Sequence, residues 1–493
     1  YMNCGNYHYF FIRRYFMSSA QITELFKSAA VLSAFLFLGM FLRAKVKLFR
    51  DLLLPASVIG GFILLIIGPN VLNIYPVSAD YMKTWAAVPG IFIVPIFASV
   101  PLGNGWNKPP KDPNAPKQGF KIPDGFSKGL IAFSCFSMAG GFQSVLGFGF
   151  NLLATNVFGM DLYRTFGSEL NSGFSGGHGT AGAIGNTLQG YGVEYWQTAQ
   201  SVATTFATIG LIGGIALGIF ILNRKAAKGE TRILDKPGSI PDNVLYGFEK
   251  DITKHGNLGR ETTHNSSIET VTVHLGLLII ITGVSYVAQA WCVKNNIWGI
   301  SSLTVWFYGL IIMYPTNWAI QKLGLTWMFD TKVKSKVTGC LTDYAIICAI
   351  ASMNVSAVLS YAMPIIILSV LGFIFTYFFV FVYYRWAVGP DDFPVERAII
   401  NWGFMTGVLI TGILLLKIAD PNYDSPVMED FSFGMAISSF TGLFTSPIYY
   451  TLLGTGTTMA NFLYALGCFC LWCVCGVTGH ALLKKEHPEQ FHK

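Results

Sequence analysis

The sequence predicts an all-α integral membrane protein made of two inverted repeats of five transmembrane helices each, with a candidate extra helix at the C-terminus. Only 12% of its 493 residues are charged, whereas a typical soluble domain has about 25% charged residues. The apolar residues also fall into blocks of about 20, which is the length of helix that spans a bilayer core. Together these observations exclude a soluble globular fold.

Eleven apolar blocks predict the membrane spans in order. Five blocks cover residues 22–42, 53–68, 85–102, 129–154 and 201–222, and six cover 271–293, 305–321, 344–363, 365–386, 431–453 and 460–483. The last of these is the candidate extra helix. Because each half otherwise has an odd number of spans, the two halves must insert with opposite topology, as in inverted-repeat transporters.

The domain boundaries follow from a polar stretch between the two sets of spans. It holds eight Lys or Arg and seven Asp or Glu, a composition that suits a solvated loop. The predicted domains are an N-terminal tail (1–21), a first repeat (22–222), a polar cytoplasmic linker (223–270), a second repeat (271–453) and a C-terminal extension (454–493).

The loop charges favour an N-terminus outside the membrane. With that orientation the inside loops hold 21 Lys or Arg, whereas the outside loops 69–84 and 294–304 hold only Lys83 and Lys294. The positive-inside rule requires this asymmetry. It also accounts for the net charge of +7, so the charge need not indicate a nucleic-acid partner.

Two segments, 163–189 and 397–421, are neither clean spans nor clean loops. They occupy equivalent positions in the two halves and are rich in glycine and in hydrogen-bonding side chains. Glycine-interrupted segments at matching positions are the best sequence indicator of a transporter's binding site. Since non-helical backbone cannot face lipid, we expect both segments to line a cavity or to be buried in protein.

The stretch 175–180, Ser-Gly-Gly-His-Gly-Thr, is the strongest candidate for contact with a ligand. Three glycines in four positions would cost a helix interior about 1 kcal/mol each, and they expose backbone amides and carbonyls. Amides at the start of a half-helix favour a carboxylate, whereas carbonyls at its end favour Na⁺. The alternative is a tight turn that lets two spans pack closely. The candidate substrate-binding residues are Ser175, Gly176, Gly177, His178, Gly179, Thr180, Asn171, Ser172 and Gln143.

Four of the polar candidates have a second interpretation. His178 is either a proton carrier or, as we prefer, a neutral hydrogen-bonding strut. The Gln143 amide either holds a substrate carboxylate or braces neighbouring helices. Lys417 and Asp420, at the end of the second segment, are functional candidates because ionisable groups at membrane depth usually are. Alternatively, Lys417 extends to the interface and Asp420 begins a loop.

No enzyme motif is present in the sequence. It has no phosphate-binding loop of the Gly-x-x-x-x-Gly-Lys-Ser/Thr type, no Gly-x-Ser-x-Gly elbow and no His-Glu-x-x-His zinc motif. The cysteines between 468 and 475 are better explained as small apolar residues that pack in a span than as metal ligands. We therefore predict neither an enzyme nor a bound cofactor or metal. A channel or a non-transporting membrane scaffold is the alternative from another class.

The stretch 175–180 resembles the signature re-entrant motif of the sodium/glutamate symporter family. Three further pieces resemble that family in the same order along the chain. They are PASVIGG at 55–61, Gln143 with Gly147, Gly149, Gly159 and Asp161, and ATIGLIGG at 207–214.

The resemblance implies a re-entrant hairpin in each repeat, at 171–186 and 402–418, and usually a homodimer. It implies Na⁺-coupled uptake of glutamate or a similar dicarboxylate by an elevator-like movement, in a bacterial cytoplasmic (inner) membrane. Na⁺ would be the coupling ion, and the other partners would be the anionic substrate and the lipid bilayer.

The second hairpin departs from the family pattern, because the expected Gly-Ala-Thr-Pro-like tip and following Asn-Met are missing from 407–417. The candidate ion-coupling residues are Gly407, Thr411, Lys417 and Asp420. Either Thr411 and local carbonyls still bind Na⁺, or Lys417 takes the place of a bound cation. In the second case the protein would be a Na⁺-independent or H⁺-coupled carboxylate carrier.

Overall fold

The computed structural model describes residues 18–52, 54–103, 125–234, 246–264, 266–295, 297, 305–420 and 425–488. Most of the predicted N-terminal tail, the inside loop at 104–124 and the middle of the linker at 235–245 lie outside these ranges. Every regular element in the described ranges is a helix. Among them, seven helices are long and apolar enough to cross a membrane. The predicted all-α integral membrane fold is confirmed, and the chain is a multi-pass membrane protein.

A broken helical segment lies between two long helices in each half of the chain. The first half contains α1 (Ser19–Lys45), α2 (Lys47–Asp51), α3 (Ala56–Ile67), α4 (Ala79–Ala98), α5 (Phe126–Asn156), α6 (Ser168–Phe174), α7 (Gly177–Gly190) and α8 (Trp196–Ala227). The second half contains α9 (Thr270–Lys294), α10 (Val305–Lys322), α11 (Thr331–Ala351), α12 (Val355–Ser360), α13 (Ala362–Tyr377), α14 (Tyr383–Val388), α15 (Pro394–Ala419) and α16 (Val427–Thr455). A π-helical turn, Phe378–Val382, joins α13 to α14, and α17 (Thr458–Glu486) follows the second half. The opposite orientation of the halves and the domain boundaries stay predictions.

The first glycine-rich segment forms hairpin 1, which consists of α6 and α7. The two helices pack against each other across a turn made by Ser175 and Gly176. Gly177, the first residue of α7, has a φ of 64°, a left-handed value that glycine adopts without steric cost. The three glycines predicted to interrupt a helix therefore lie at the turn and in the first helical turn after it.

The second segment forms hairpin 2, the two arms of α15. The arms are separated by Gly407 and Val408, whose backbone angles are not helical. They then approach so closely that a Cβ on Gly403 would lie 2.6 Å from the Cα of Gly412. Only residues without a side chain allow this approach, so the two glycines explain why the chain can fold back on itself here.

The predicted span 344–363 is wrong in its boundaries. The helix there, α11, begins at Thr331 and ends at Ala351, before the separate short helix α12. Asp330 caps the first turn of α11. Lys334, which falls between the predicted spans 305–321 and 344–363, lies in α11 and donates to the carbonyls of Ser99 at 3.2 Å and Leu102 at 2.7 Å. A lysine can extend a membrane helix when its charge meets carbonyls at the C-terminal end of another helix.

The helices sort into two groups, and each group contains helices from both halves. We call α1, α3, α4, α9, α10 and α11 the scaffold group, because α11 packs on α3 and α4, and α10 packs on α4 and α9. The hairpin group contains α5 to α8 and α13 to α17, in which α15 packs on α8 and both α16 and α17 pack on α5. The groups meet where α7 contacts α4 and α11.

The C-terminal helix α17 lies antiparallel to α5 along its length. At one end Ser127 donates to Glu486 at 2.6 Å, and in the middle the rings of Phe142 and Phe469 are 5.4 Å apart. Its hydropathy and 29-residue length suffice to cross a membrane. The extra C-terminal helix that the sequence predicts is therefore present as α17, and it packs on the hairpin group through α5.

Candidate functional site

A cavity of about 1240 Å³ lies where the tips of the two hairpins meet. The tips are in contact, because a Cβ on Gly177 would come within 2.4 Å of Cγ1 of Val408. The volume slightly exceeds that of most small-molecule sites, which is about 300–1,000 Å³. Helices of both groups contribute to the wall, including α4 and α11 from the scaffold group and α5, α8, α16 and α17 from the hairpin group.

Most of the residues predicted from sequence lie together in the wall of this cavity. Eight of the nine candidate substrate residues line it, namely Asn171, Ser172, Ser175, Gly176, Gly177, His178, Gly179 and Thr180. Gly407 and Thr411, two of the candidate ion-coupling residues, line it as well. Gln143, Lys417 and Asp420 lie outside the lining.

The hydroxyl groups at the tip of hairpin 1 donate to oxygens of the hairpin itself, so the backbone amides of α7 are the donors that remain for an anionic ligand. Ser175 donates to the backbone carbonyl and the side-chain oxygen of Asn171, at 2.8 and 2.9 Å. Thr180 donates to the carbonyl of Gly176 at 3.1 Å. The first amides of α7 have no acceptor within the helix, and the residues that carry them line the cavity. This end of hairpin 1 can accept an anionic group.

The tip of hairpin 2 contains a strained valine. Val408 has φ 68° and ψ 170°, in a region of backbone conformation that is occupied almost entirely by glycine. Such a conformation costs about 1–3 kcal/mol and persists only where the surrounding structure enforces it. The neighbouring Thr411 hydroxyl donates to the carbonyl of Gly407. The strain therefore lies at the contact between the tips, where the two hairpins enclose the cavity.

His178 and Gln143 both make bonds that hold helices together. Nε2 of His178 lies 3.0 Å from the hydroxyl of Thr208, and that hydroxyl already donates to a backbone carbonyl of α8, so His178 is the donor. Nε2 of Gln143 donates to Thr376 at 2.8 Å and to the carbonyl of Met405 at 3.0 Å. These contacts match the strut and bracing interpretations of the two residues.

Lys417 and Asp420 lie at the far end of the second arm of hairpin 2. Asp420 is fully buried and accepts from the amide and hydroxyl of Ser425 at 2.9 and 2.6 Å, which orders the chain just before α16. Lys417 is half-buried in the last turn of α15. Their roles in ion coupling stay predictions, and the structure places both away from the cavity.

Sequence reasoning missed two groups of residues in the cavity wall. The first group is Arg43 and Asp343. Among the described residues they are the only Arg, Lys, Asp or Glu side chains that line the cavity. Asp343 accepts from Ser57 at 3.1 Å. The other is a row of hydroxyls on α16, consisting of Ser438, Thr441, Thr445 and Ser446. Ser438, Thr441 and Thr445 are spaced three and four residues apart and Ser446 follows directly, and this helical spacing is the signal that could have identified them.

Comparison with known proteins identifies a family. The sequence model of the family described as sodium/glutamate symporter matches residues 120–409, more than half of the chain. The matched region runs from just before α5 to the tip of hairpin 2. The searches of the curated proteins and of the solved structures found no match.

Proposed function

The chain belongs to the sodium/glutamate symporter family, and on that basis we propose that it is a secondary active transporter that carries glutamate or a similar dicarboxylate together with Na⁺. Family membership makes the chain a transporter rather than an enzyme. It is also our reason for proposing a homodimer in a bacterial cytoplasmic membrane.

The observation that supports this function most is the pair of half-helices that begin at the cavity. α7 begins at Gly177, and the second arm of α15 begins just after Val408. Each helix start carries the equivalent of about half a positive charge. Two such ends suit a solute with two carboxylates, and half-helix N-termini bind anionic substrates in other transporters.

The two helix groups suit an elevator-like cycle. Both tips belong to the hairpin group, so movement of that group against the scaffold group would carry the bound solute with it. The scaffold group contributes α4 and α11 to the cavity wall, and these are the surfaces past which the tips would move. We therefore propose that the cavity opens to one side of the membrane at a time.

The coupling ion is proposed to bind near oxygens of hairpin 2. Gly407 and Thr411 line the cavity beside the tip, at the carbonyl end of the first arm of α15, and such an end of a half-helix favours Na⁺. In the alternative coupling scheme, the positive charge of Lys417 takes the place of a bound cation. A Lys417→Ala variant with wild-type ion dependence of transport would argue against that alternative.

Concentration dependence of flux distinguishes a carrier from the other classes. We expect purified protein in liposomes to exchange labelled glutamate for unlabelled glutamate, with a rate that saturates as the glutamate concentration rises. A channel would give a flux that does not saturate and no acceleration by solute on the opposite side. A scaffold would give no flux although the protein is folded.

Cys468 offers an independent test of the cavity. It lines the cavity together with Tyr464 and Trp472 from the same helix, α17. We expect a membrane-impermeant methanethiosulfonate reagent to reduce glutamate uptake at least severalfold, and glutamate to slow the reaction. The Cys468→Ser variant should be resistant, whereas Cys470→Ser should stay sensitive because Cys470 is exposed on the outside of the bundle. Equal sensitivity of both variants would contradict the assignment of α17 to the cavity wall.

A further inference from the structure

A completely buried carboxylate lies in hairpin 1, behind the cavity. Glu169, in the first turn of α6, has 0% of its surface exposed. Its Oε1 accepts from the hydroxyl of Tyr163 at 3.1 Å, and its Oε2 accepts from the amide of Gly167 at 2.7 Å. No Lys or Arg in the described chain forms an ion pair with it. The guanidinium of Arg164 donates to three backbone carbonyls at the end of α16 instead.

An ionised carboxylate in this position needs a positive partner. Removing a carboxylate from water costs several kcal/mol unless a counter-charge and hydrogen bonds compensate. The donors that surround it, such as the amide of Gly167 and the hydroxyl of Tyr163, are neutral and supply no counter-charge. Ionisable side chains at membrane depth usually pair with one another or mark an ion pathway. A small cation from solution would supply the missing charge.

Several buried hydroxyl oxygens in and around hairpin 1 lack a hydrogen bond of normal geometry. The side-chain oxygens of Thr165, Ser168, Tyr195 and Tyr449 are buried and have no hydrogen-bond partner in the described chain. Ser168 adjoins Glu169 in sequence, and the Tyr449 hydroxyl lies beside Ser168. Buried hydroxyls are nearly always hydrogen-bonded, so a group of unsatisfied ones calls for an explanation. Oxygen ligands of this kind are what hard cations prefer.

This group of oxygens adjoins the proposed substrate cavity. Ser172 lies one helical turn after Ser168 on the same face of α6, and Ser172 and Tyr449 both line the cavity. The Tyr449 hydroxyl lies beside both serines. A cation held by Ser168 and Tyr449 would therefore fix Tyr449, which belongs to the cavity wall, and the helix that carries Ser172. That is a direct route by which cation binding could favour substrate binding.

We propose that Glu169 is the anionic ligand of a Na⁺ site in hairpin 1, completed by the hydroxyls of Ser168 and Tyr449. The proposal rests on the function proposed above and adds a second place for the coupling ion, apart from the oxygens of hairpin 2. Bound Na⁺ neutralises the carboxylate, so the hairpin group can move through the membrane without an unpaired charge at this position.

The test is the dependence of thermal unfolding on Na⁺, measured on the purified full-length protein. Choline replaces Na⁺ at constant ionic strength. We expect the wild-type Tm to rise with Na⁺ and to saturate, as ligand binding to the folded state requires. Glu169→Gln keeps the shape of the side chain and should reduce the rise to the part that Na⁺ binding at hairpin 2 contributes. Ser168→Ala should raise the Na⁺ concentration at half-effect about fivefold, since one neutral oxygen ligand is lost. Glu194→Gln changes an exposed carboxylate and should respond like the wild type.

Three results would overturn the proposal. One is a folded Glu169→Gln variant with the wild-type Na⁺ response. If that variant does not fold, an unchanged half-effect concentration in Ser168→Ala overturns it equally. The third is a wild-type Tm that responds to pH but not to Na⁺, which would assign a proton to Glu169.

Glutamate uptake separates this test from the proposed function. Na⁺-driven uptake that persists in Glu169→Gln rejects the site alone, whereas Na⁺ stabilisation without glutamate uptake in the wild type rejects only the proposed substrate.

Discussion

Arg397→Met is expected to lower the free energy of unfolding by about 3–5 kcal/mol, the usual cost of leaving a buried charge without its partner. Arg397 is 1% exposed at the start of hairpin 2. Its guanidinium donates to Asp430 at 2.7 Å and to Asp392 at 3.1 Å, and its Nε donates to the Asp392 carbonyl at 2.9 Å. Methionine fills a similar volume but leaves both carboxylates without this cation. The measurement is the apparent Tm of the purified protein in detergent.

The pH dependence of this loss provides a check on its cause. In the wild type, burial alone would raise the pKa of Asp392, but the charges of Arg397 and Lys128 outweigh it and the pKa is lowered. A pKa that is lower in the folded protein stabilises the fold at every pH above the pKa of the unfolded chain, which is about 3.9 for Asp. This stabilisation is lost as the pH falls through the pKa of the folded protein. Without Arg397 only Lys128 still opposes the effect of burial on Asp392, so protonation becomes more favourable and the deficit of the variant should shrink as the pH falls from 7 to 5.

Arg385→Met is the matched control for Arg397→Met. The Arg385 side chain is 67% exposed and lies 3.7 Å from Glu230. Exposed pairs of this kind contribute about 0–1 kcal/mol, so we expect little change in Tm. Equal Tm values for the two variants would show that the buried ion pairs do not anchor hairpin 2.

Gly177→Ala is expected to reduce glutamate uptake about tenfold or more. Gly177 has a φ of 64°, and a left-handed conformation costs a residue with a side chain about 1–2 kcal/mol. The added methyl group would also lie 2.4 Å from Cγ1 of Val408, so the two tips would have to move apart. Since about 1.4 kcal/mol corresponds to a factor of ten in rate, the strain and the clash together predict the size of the loss. The measurement is the initial uptake rate per amount of folded protein.

Two further variants separate the clash from a general disturbance of α7. Gly190→Ala changes a glycine of the same helix whose Cβ would meet nothing within 4 Å, so its uptake should match the wild type. The double variant Gly177→Ala with Val408→Gly removes the clash but keeps the strained φ at 177. It should recover part of the lost rate. Uptake at the wild-type rate in Gly177→Ala would contradict the close contact of the tips.

The tip of hairpin 1 was predictable because its chemistry is concentrated in six consecutive residues. Three glycines among hydroxyls have no stable place in a lipid-facing helix, so their position in the wall of a cavity follows from backbone physics. The second tip was harder to predict, because only Gly407 and Gly412 mark it. Val408 adopts a conformation that its side chain disfavours, and tertiary packing rather than local preference must hold it there.

The residues that we missed lie in segments that we had classified by their overall composition. The hydroxyls of α16 fall inside the apolar block 431–453, whose mean character hides one polar face. Glu169 lies in the segment 163–189, where the glycines drew the interpretation to the tip. Lys334 falls between the predicted spans 305–321 and 344–363, and the carbonyls of Ser99 and Leu102 that accept from it are far away in sequence.

The most direct measurement is accumulation of labelled glutamate in liposomes that contain only this protein and an inward Na⁺ gradient. The account predicts that internal glutamate rises above the external concentration, and that the accumulation vanishes when choline replaces Na⁺ or when the Na⁺ gradient is collapsed. Glutamate that only equilibrates across the membrane, at the same rate with and without Na⁺, would contradict Na⁺-coupled symport by this chain.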